Sequence, residues 1–151
     1  MPPDAGSVLH VFGETVIMHL DSGATGGTLN LWTEITPPGG GPPAHYHEHE
    51  DECYAVQEGR VAFFAEERWR EFGPGAVVFM PRRQIHAFKN VGDAQARLLI
   101  VQSPGGVIEK YMEEAWERIV DPSNLPPQVE PDFERVMTVM QKYGIEVLPP
   151  T

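Results

Sequence analysis

A single cysteine among 151 residues leaves Cys53 no partner in its own chain, which excludes an internal disulfide framework. No stretch approaches the ~20 consecutive apolar residues that a membrane-spanning helix needs, and the N-terminus lacks the apolar run of a secretory signal. Bases are scarce as well. Eleven Lys and Arg against 22 Asp and Glu give a formal charge of -11, which opposes phosphate backbones and anionic lipid surfaces. Neither nucleic acid nor membrane is expected as a partner, and a lone thiol without a signal segment implies a reducing, cytoplasmic setting.

Glycine and proline, 15 of each, are spread between short apolar runs instead of forming a low-complexity tract. That distribution fits the many tight turns of an all-β domain. Residues 1–7 read as a mobile lead-in. Val8–Phe12 and Thr15–Leu20 read as strands around a Gly13-Glu14 turn, whose outer edge a second copy of the chain could cover, so a homodimer is expected. Asp21–Gly27 reads as a loop. Thr28–Thr36 alternates, with Leu29, Leu31, Thr33 and Ile35 on one face and Thr28, Asn30, Trp32 and Glu34 on the other. Pro37–Pro43 ends that strand, because prolines lack the donors of a central ladder.

The stretch that follows carries the chemistry. His45 and His47 are two apart, so on an extended strand both imidazoles leave one face. Four residues separate His47 from Glu52, enough for the chain to turn and point that carboxylate back at the histidines. Two imidazoles and a carboxylate suit Fe, Mn, Ni, Co, Cu or Zn better than Ca or Mg. His49, Glu50 and Asp51 read as solvated loop residues, and His10 and His19, outside any ligand-spaced pair, as surface or edge residues. Tyr54 and Val56 share the parity of Glu52 and are candidate cavity wall, whereas Cys53 points the other way as a small buried hydrophobe.

Arg60–Ala65 and Arg68–Phe72 read as a hairpin turning at Glu66-Glu67. Ala76–Met80, apolar throughout, reads as a strand buried on both faces. His86, Phe88 and Asn90 then share a parity, which supplies a third imidazole and turns Phe88 toward the cavity; Ala96–Gln102 is the last strand. Beyond Pro104-Gly105-Gly106 the period becomes helical. Val107, Ile108, Tyr111, Met112, Ala115, Trp116, Ile119 and Val120 form an apolar stripe that ends at Asp121-Pro122. This helix either packs on the outside of the strands or covers their mouth, where Tyr111, Met112 and Trp116 could touch a substrate. A Pro-rich connector runs to Pro131. Asp132 then caps a second helix with the stripe Phe133, Val136, Met137, Met140 and Tyr143, closed by Gly144.

Two motifs in this chain resemble those of the cupin superfamily. The first reads Gly39, His45, His47, Glu52 and Gly59; the second reads Gly75, Pro81, His86 and Asn90. Arg83 stands where the second motif has glycine, so its turn must accept a positive φ or take another shape. The resemblance implies a jelly-roll (double-stranded β-helix) barrel over about 8–103 with two C-terminal α-helices over about 105–148, all within one domain, 1–151. It also implies His45, His47, Glu52 and His86 as ligands of one divalent transition-metal ion.

The run from His45 to Gly59 and the C-terminal pattern ending in Tyr143-Gly144-Ile145 are similar to single-domain bacterial cupins grouped with quercetin 2,3-dioxygenase. That likeness implies a dioxygenase opening a flavonol-like or other enolisable aromatic substrate with O2, with Glu52 as metal ligand and general base. Tyr54, Phe88, Tyr111, Met112 and Trp116 are its candidate substrate-binding residues. A metal-dependent isomerase or lyase, or a non-catalytic small-molecule binder, would use the same residues.

Overall fold

A computed structural model describes residues 8–11, 13–119 and 132–149. Its strands are β1 (Val8–Val11), β2 (Glu14–Leu20), β3 (Asn30–Thr36), β4 (His45–His47), β5 (Asp51–Glu58) and β6 (Val61–Ala65). After these come β7 (Arg68–Phe72), β8 (Val77–Met80), β9 (His86–Asn90), β10 (Ala96–Ser103), β11 (Glu117–Ile119) and β12 (Ile145–Val147). The helices are α1 (Ser22–Thr25), α2 (Val107–Ala115) and α3 (Phe133–Lys142). Seven strands form one antiparallel sheet in the order β11-β1-β2-β3-β10-β5-β8, and five form the other, β12-β4-β9-β6-β7. The two sheets close on a shared core that includes Trp32, Tyr54, Phe63, Phe88, Leu98 and Ile100. This is the jelly roll that the motifs imply.

Local chemistry explains the turns. Glu66 and Glu67 both take positive φ (52° and 62°), the turn geometry that matches the twist of a two-residue hairpin between β6 and β7. Gly41 lies so close to β9 that an added Cβ would fall 1.9 Å from the Phe88 carbonyl oxygen, so the chain before β4 can approach only as glycine. Asp21 accepts from Ala24 N at 2.8 Å and caps α1, a single helical turn within the expected loop. Asp132 caps α3 in the same way, from Arg135 N at 3.0 Å. The buried stripe of α3 is Val136, Val139 and Met140, while Phe133 and Met137 are exposed.

Other expectations are revised. The first C-terminal helix stops at Ala115, and Glu117–Ile119 becomes β11, paired antiparallel with β1. Hydrogen bonds from the free edge of β1 outweigh continuing the helix, although its apolar stripe runs on in sequence. The outer edge of β1, on which the homodimer expectation rested, is therefore taken within the chain. β8 is an edge strand instead of a doubly buried one, with Val77 66% and Phe79 62% exposed. Cys53 faces outward as its parity requires, but it is only half-buried. The lead-in, Phe12, Val120, the Asp121-Pro122 stop and the Pro-rich connector lie outside the described residues.

Candidate metal centre and cavity

β4 delivers His45 and His47, β5 delivers Glu52, and β9 delivers His86 opposite His45. The four side chains are buried, and one ligand atom from each lies within 4.8 Å of all the others. His45 Nδ1 donates to the Pro43 carbonyl at 2.9 Å and His86 Nδ1 to the Gln84 carbonyl at 2.8 Å. These bonds fix both tautomers with the proton on Nδ1, leaving each Nε2 lone pair free to bind a metal. His47 Nε2 lies 3.1 Å from Glu52 Oε1, and His86 Nε2 lies 3.1 Å from Glu52 Oε2. Three imidazoles, two of them with preset tautomers, and a carboxylate, all withdrawn from water, fit one divalent transition-metal ion, and these residues could hold it.

Arg83 meets the expectation set for its turn. It adopts φ 65°, and its N–H donates to the His47 carbonyl at 2.8 Å while its guanidinium pairs with Glu48 at 2.9 Å. These contacts hold the turn despite the missing glycine. Asn90 is structural: its amide donates to the carbonyls of Thr36 and Ala94.

Glu52 is the most connected carboxylate of the centre. The Tyr54 hydroxyl donates to Oε2 and the Gln102 amide to Oε1, while the Tyr54 oxygen also lies 3.2 Å from His86 Nε2. Burial opposes ionisation of Glu52, but the His47 and His86 imidazoles outweigh it and hold the carboxyl well below the usual range. Burial, reinforced by the Glu52 carboxylate, pushes the Tyr54 hydroxyl up, so it remains a neutral donor. Burial and then the neighbouring imidazoles lower His45 to about 3, leaving it neutral and ready to ligate.

The centre opens into a cavity of about 70 Å³. Tyr54, Phe88, Tyr111 and Met112 line it together with Trp116 at the C-cap of α2, so the helix forms part of the cavity wall. His10 and His19 stay apart from the cluster, bonded to Thr15 and Thr33. His49 is exposed, and Asp51 pairs at the surface with Arg82. Glu50 corrects the solvated-loop reading. It is 1% exposed, its Oε2 lies 4.0 Å from His47 Nδ1, and neither oxygen has a hydrogen-bond partner. Its even-numbered parity with Glu52 and Tyr54 was the signal that it turns inward. Sequence reasoning also passed over Glu14 and Glu34, two buried acids that line the same cavity.

With this geometry in view, residues 32–102 match the family model described as the cupin domain. The fold is that of a cupin. Match and fold together support the cupin superfamily for this chain. It is 31% identical over 90 residues to a protein of Streptomyces cyaneus named polyketide synthase CurC, an alignment covering 60% of this chain and 57% of that relative. The chain thus spans little more than half of that relative's length. A Thermotoga maritima structure described as a predicted oxalate decarboxylase superposes with a TM-score of 0.59 at 22% identity, covering 69% of this chain and 96% of its own. A sugar phosphate isomerase of the cupin superfamily from Silicibacter pomeroyi gives a TM-score of 0.57 at 22% identity, with 66% and 71% covered. At these identities the two solved structures speak for the fold alone. Among the described residues no helix is long and apolar enough to cross a membrane.

Proposed function

We propose that this cupin is a metal-dependent enzyme acting on a compact enolisable β-dicarbonyl or phenolic compound, and that it is a dioxygenase. The observation that carries the reading is the set of four ligand-type side chains beside a largely apolar cavity. A relative named a polyketide synthase is consistent with it, since polyketide chains contain β-dicarbonyl units that enolise readily. A cavity of about 70 Å³ lies well below the ~300 Å³ at which pockets for drug-sized ligands begin, so the substrate is taken to be single-ring or acyclic and smaller than a flavonol.

Glu52, held as a carboxylate, accepts the proton of the entering enol. Tyr54 and Gln102 keep it oriented, and Phe88 with the α2 side chains excludes water. A divalent ion bound by His45, His47, His86 and Glu52 would supply Lewis acidity and, where redox-active, electron exchange with O2. O2 is then both oxidant and co-substrate, and both of its atoms enter the ring-opened or chain-cleaved product. One observation favours a second, non-oxidative reading as isomerase or lyase: Glu14, raised by burial and by Glu34, holds a proton in the same cavity.

Acetylacetone added to iron-loaded protein tests these readings together. Oxygen uptake equal to diketone consumed supports the dioxygenase, and consumption without uptake supports the second reading. Neither, across a panel of β-diketones and phenols, overturns the enzyme reading in favour of a binding protein. Glu52→Gln should retain part of the metal and lose turnover by ~10² or more.

A further inference from the structure

The wall of the cavity holds a second polar group apart from the four ligand residues. Glu14 on β2 and Glu34 on β3 project inward from neighbouring antiparallel strands, in which Val16 pairs with Glu34. They are 5% and 6% exposed. Glu34 Oε2 accepts from Trp32 Nε1 at 3.1 Å, whereas Glu14 Oε1 is buried without any hydrogen-bond partner. A buried oxygen left unpaired is costly, and a cavity-lining one is a position that a ligand group can satisfy. Across the sheet Glu34 pairs with Leu98, and Leu98 with Val56. Val56 is four residues along β5 from Glu52, or about 13 Å of strand at ~3.3 Å per residue. The two polar groups therefore sit at different levels of the barrel.

The charge of the lining restricts what fits. Three glutamates face the cavity, Glu14, Glu34 and Glu52, and no lysine or arginine does so among the described residues. A carboxylate or phosphate entering beside the acid pair would lose its water and meet only like charge. A hydroxyl can donate to one carboxyl oxygen and accept from a protonated one. Burial first, and the adjacent Glu34 carboxylate second, push Glu14 well above the ordinary range, so the pair offers both a donor and an acceptor.

We infer that Glu14 and Glu34 form the distal anchor of the ligand, a site for an uncharged hydroxyl group that rejects anionic substituents. This rests on the reading that the ligand's enol end lies at the metal centre. It sets the cavity against oxalate and sugar phosphates, the anions that the names of the two structural relatives suggest.

Three hydroxypyranones with one chelating head test the inference: allomaltol, kojic acid and comenic acid carry, at the same ring carbon, a methyl, a hydroxymethyl and a carboxylate. Calorimetry on the zinc-loaded protein should find kojic acid about tenfold tighter than allomaltol, as expected for a hydrogen bond to a charged group. Comenic acid should bind about tenfold or more weaker than allomaltol, because its carboxylate must be desolvated beside acids. In Glu34→Leu and Glu14→Leu, which remove donor and acceptor alike, the kojic acid advantage should vanish and the comenic acid deficit shrink, while zinc content is unchanged. Equal affinities in the wild type overturn the anchor without recourse to any variant. Tighter binding of kojic amine than of kojic acid overturns it in favour of a cation site. Zinc content on the same samples separates the two layers: zinc bound with no ranking refutes the anchor alone, and no zinc refutes the metal reading and the anchor with it.

Discussion

The two faces of β3 reverse the usual relation between polarity and burial. On β3 the inward residues are Asn30, Trp32, Glu34 and Thr36, all buried, while Leu31 and Ile35 point outward and are half-buried. The outward apolar row continues through Leu99 and Val101 of β10 to the exposed Val77 and Phe79 of β8. Inside, each polar group is either matched or conspicuously unmatched. Asn30 bonds the Leu20 carbonyl and the Gly106 N–H, whereas Glu14 and Glu50 each keep buried oxygens without partners. A folded domain tolerates such groups where the site has a use for them, so in this barrel buried polarity marks chemistry and outer apolarity does not.

Substitutions on the two faces should separate sharply. The largest effect belongs to His86→Ala, which removes an oriented ligand and should abolish most metal binding, while His49→Ala leaves metal content unchanged. Equal metal in wild type and His86→Ala would break the comparison at its strongest point. Glu50→Gln comes next. Removing the buried carboxylate beside His47 should weaken metal affinity by ~10 to 100-fold without deleting a ligand, measured by chelator competition.

Glu14→Gln is smaller and depends on pH. The Glu14 carboxyl is raised in the folded chain, mainly by burial and then by Glu34, so folded protein keeps a proton that unfolded protein gives up as pH rises through the ordinary carboxyl range. Unfolding is therefore increasingly favoured as pH rises through that window, and below it the two states do not differ. The variant should melt at a higher temperature than wild type at pH 8, an advantage that fades toward pH 4. Paired thermal melts at the two pH values measure it. The smallest effect is on the outer face. Phe79→Ser should change stability by no more than ~0.5 kcal/mol and metal content not at all.

Much of this arrangement was legible in the sequence, because spacing and parity depend on the backbone alone. His45, His47, Glu52 and His86 converge as the motifs imply, and the parity of Tyr54 and Phe88 places both in the cavity wall. What was not legible depended on tertiary partners. Glu117–Ile119 continues a helical stripe in sequence and becomes a strand only because β1 offers it an edge. Ala76–Met80 is apolar enough for a doubly buried strand, yet no strand pairs with its outer side among the described residues. The alternation of β3 was plain, but which face turns inward is fixed by its neighbours. Glu50 was misplaced for another reason: three polar neighbours suggested a loop, although its parity with Glu52 pointed inward.

The last strand of the chain has a thermodynamic role that its composition hides. β12 pairs residue by residue with β4, Ile145 against His47 and Val147 against His45, and the Gly144 carbonyl accepts from Glu48 N at 2.9 Å. No residue of β12 belongs to the four-ligand cluster, yet it completes the hydrogen bonding of the strand that bears two of those ligands. Fraying of the C-terminal segment and release of an ion from the centre are thus linked equilibria, each favouring the other. Loading the centre should slow proteolytic trimming of the C-terminus, so a protease ladder would report occupancy from a segment that contributes no ligand.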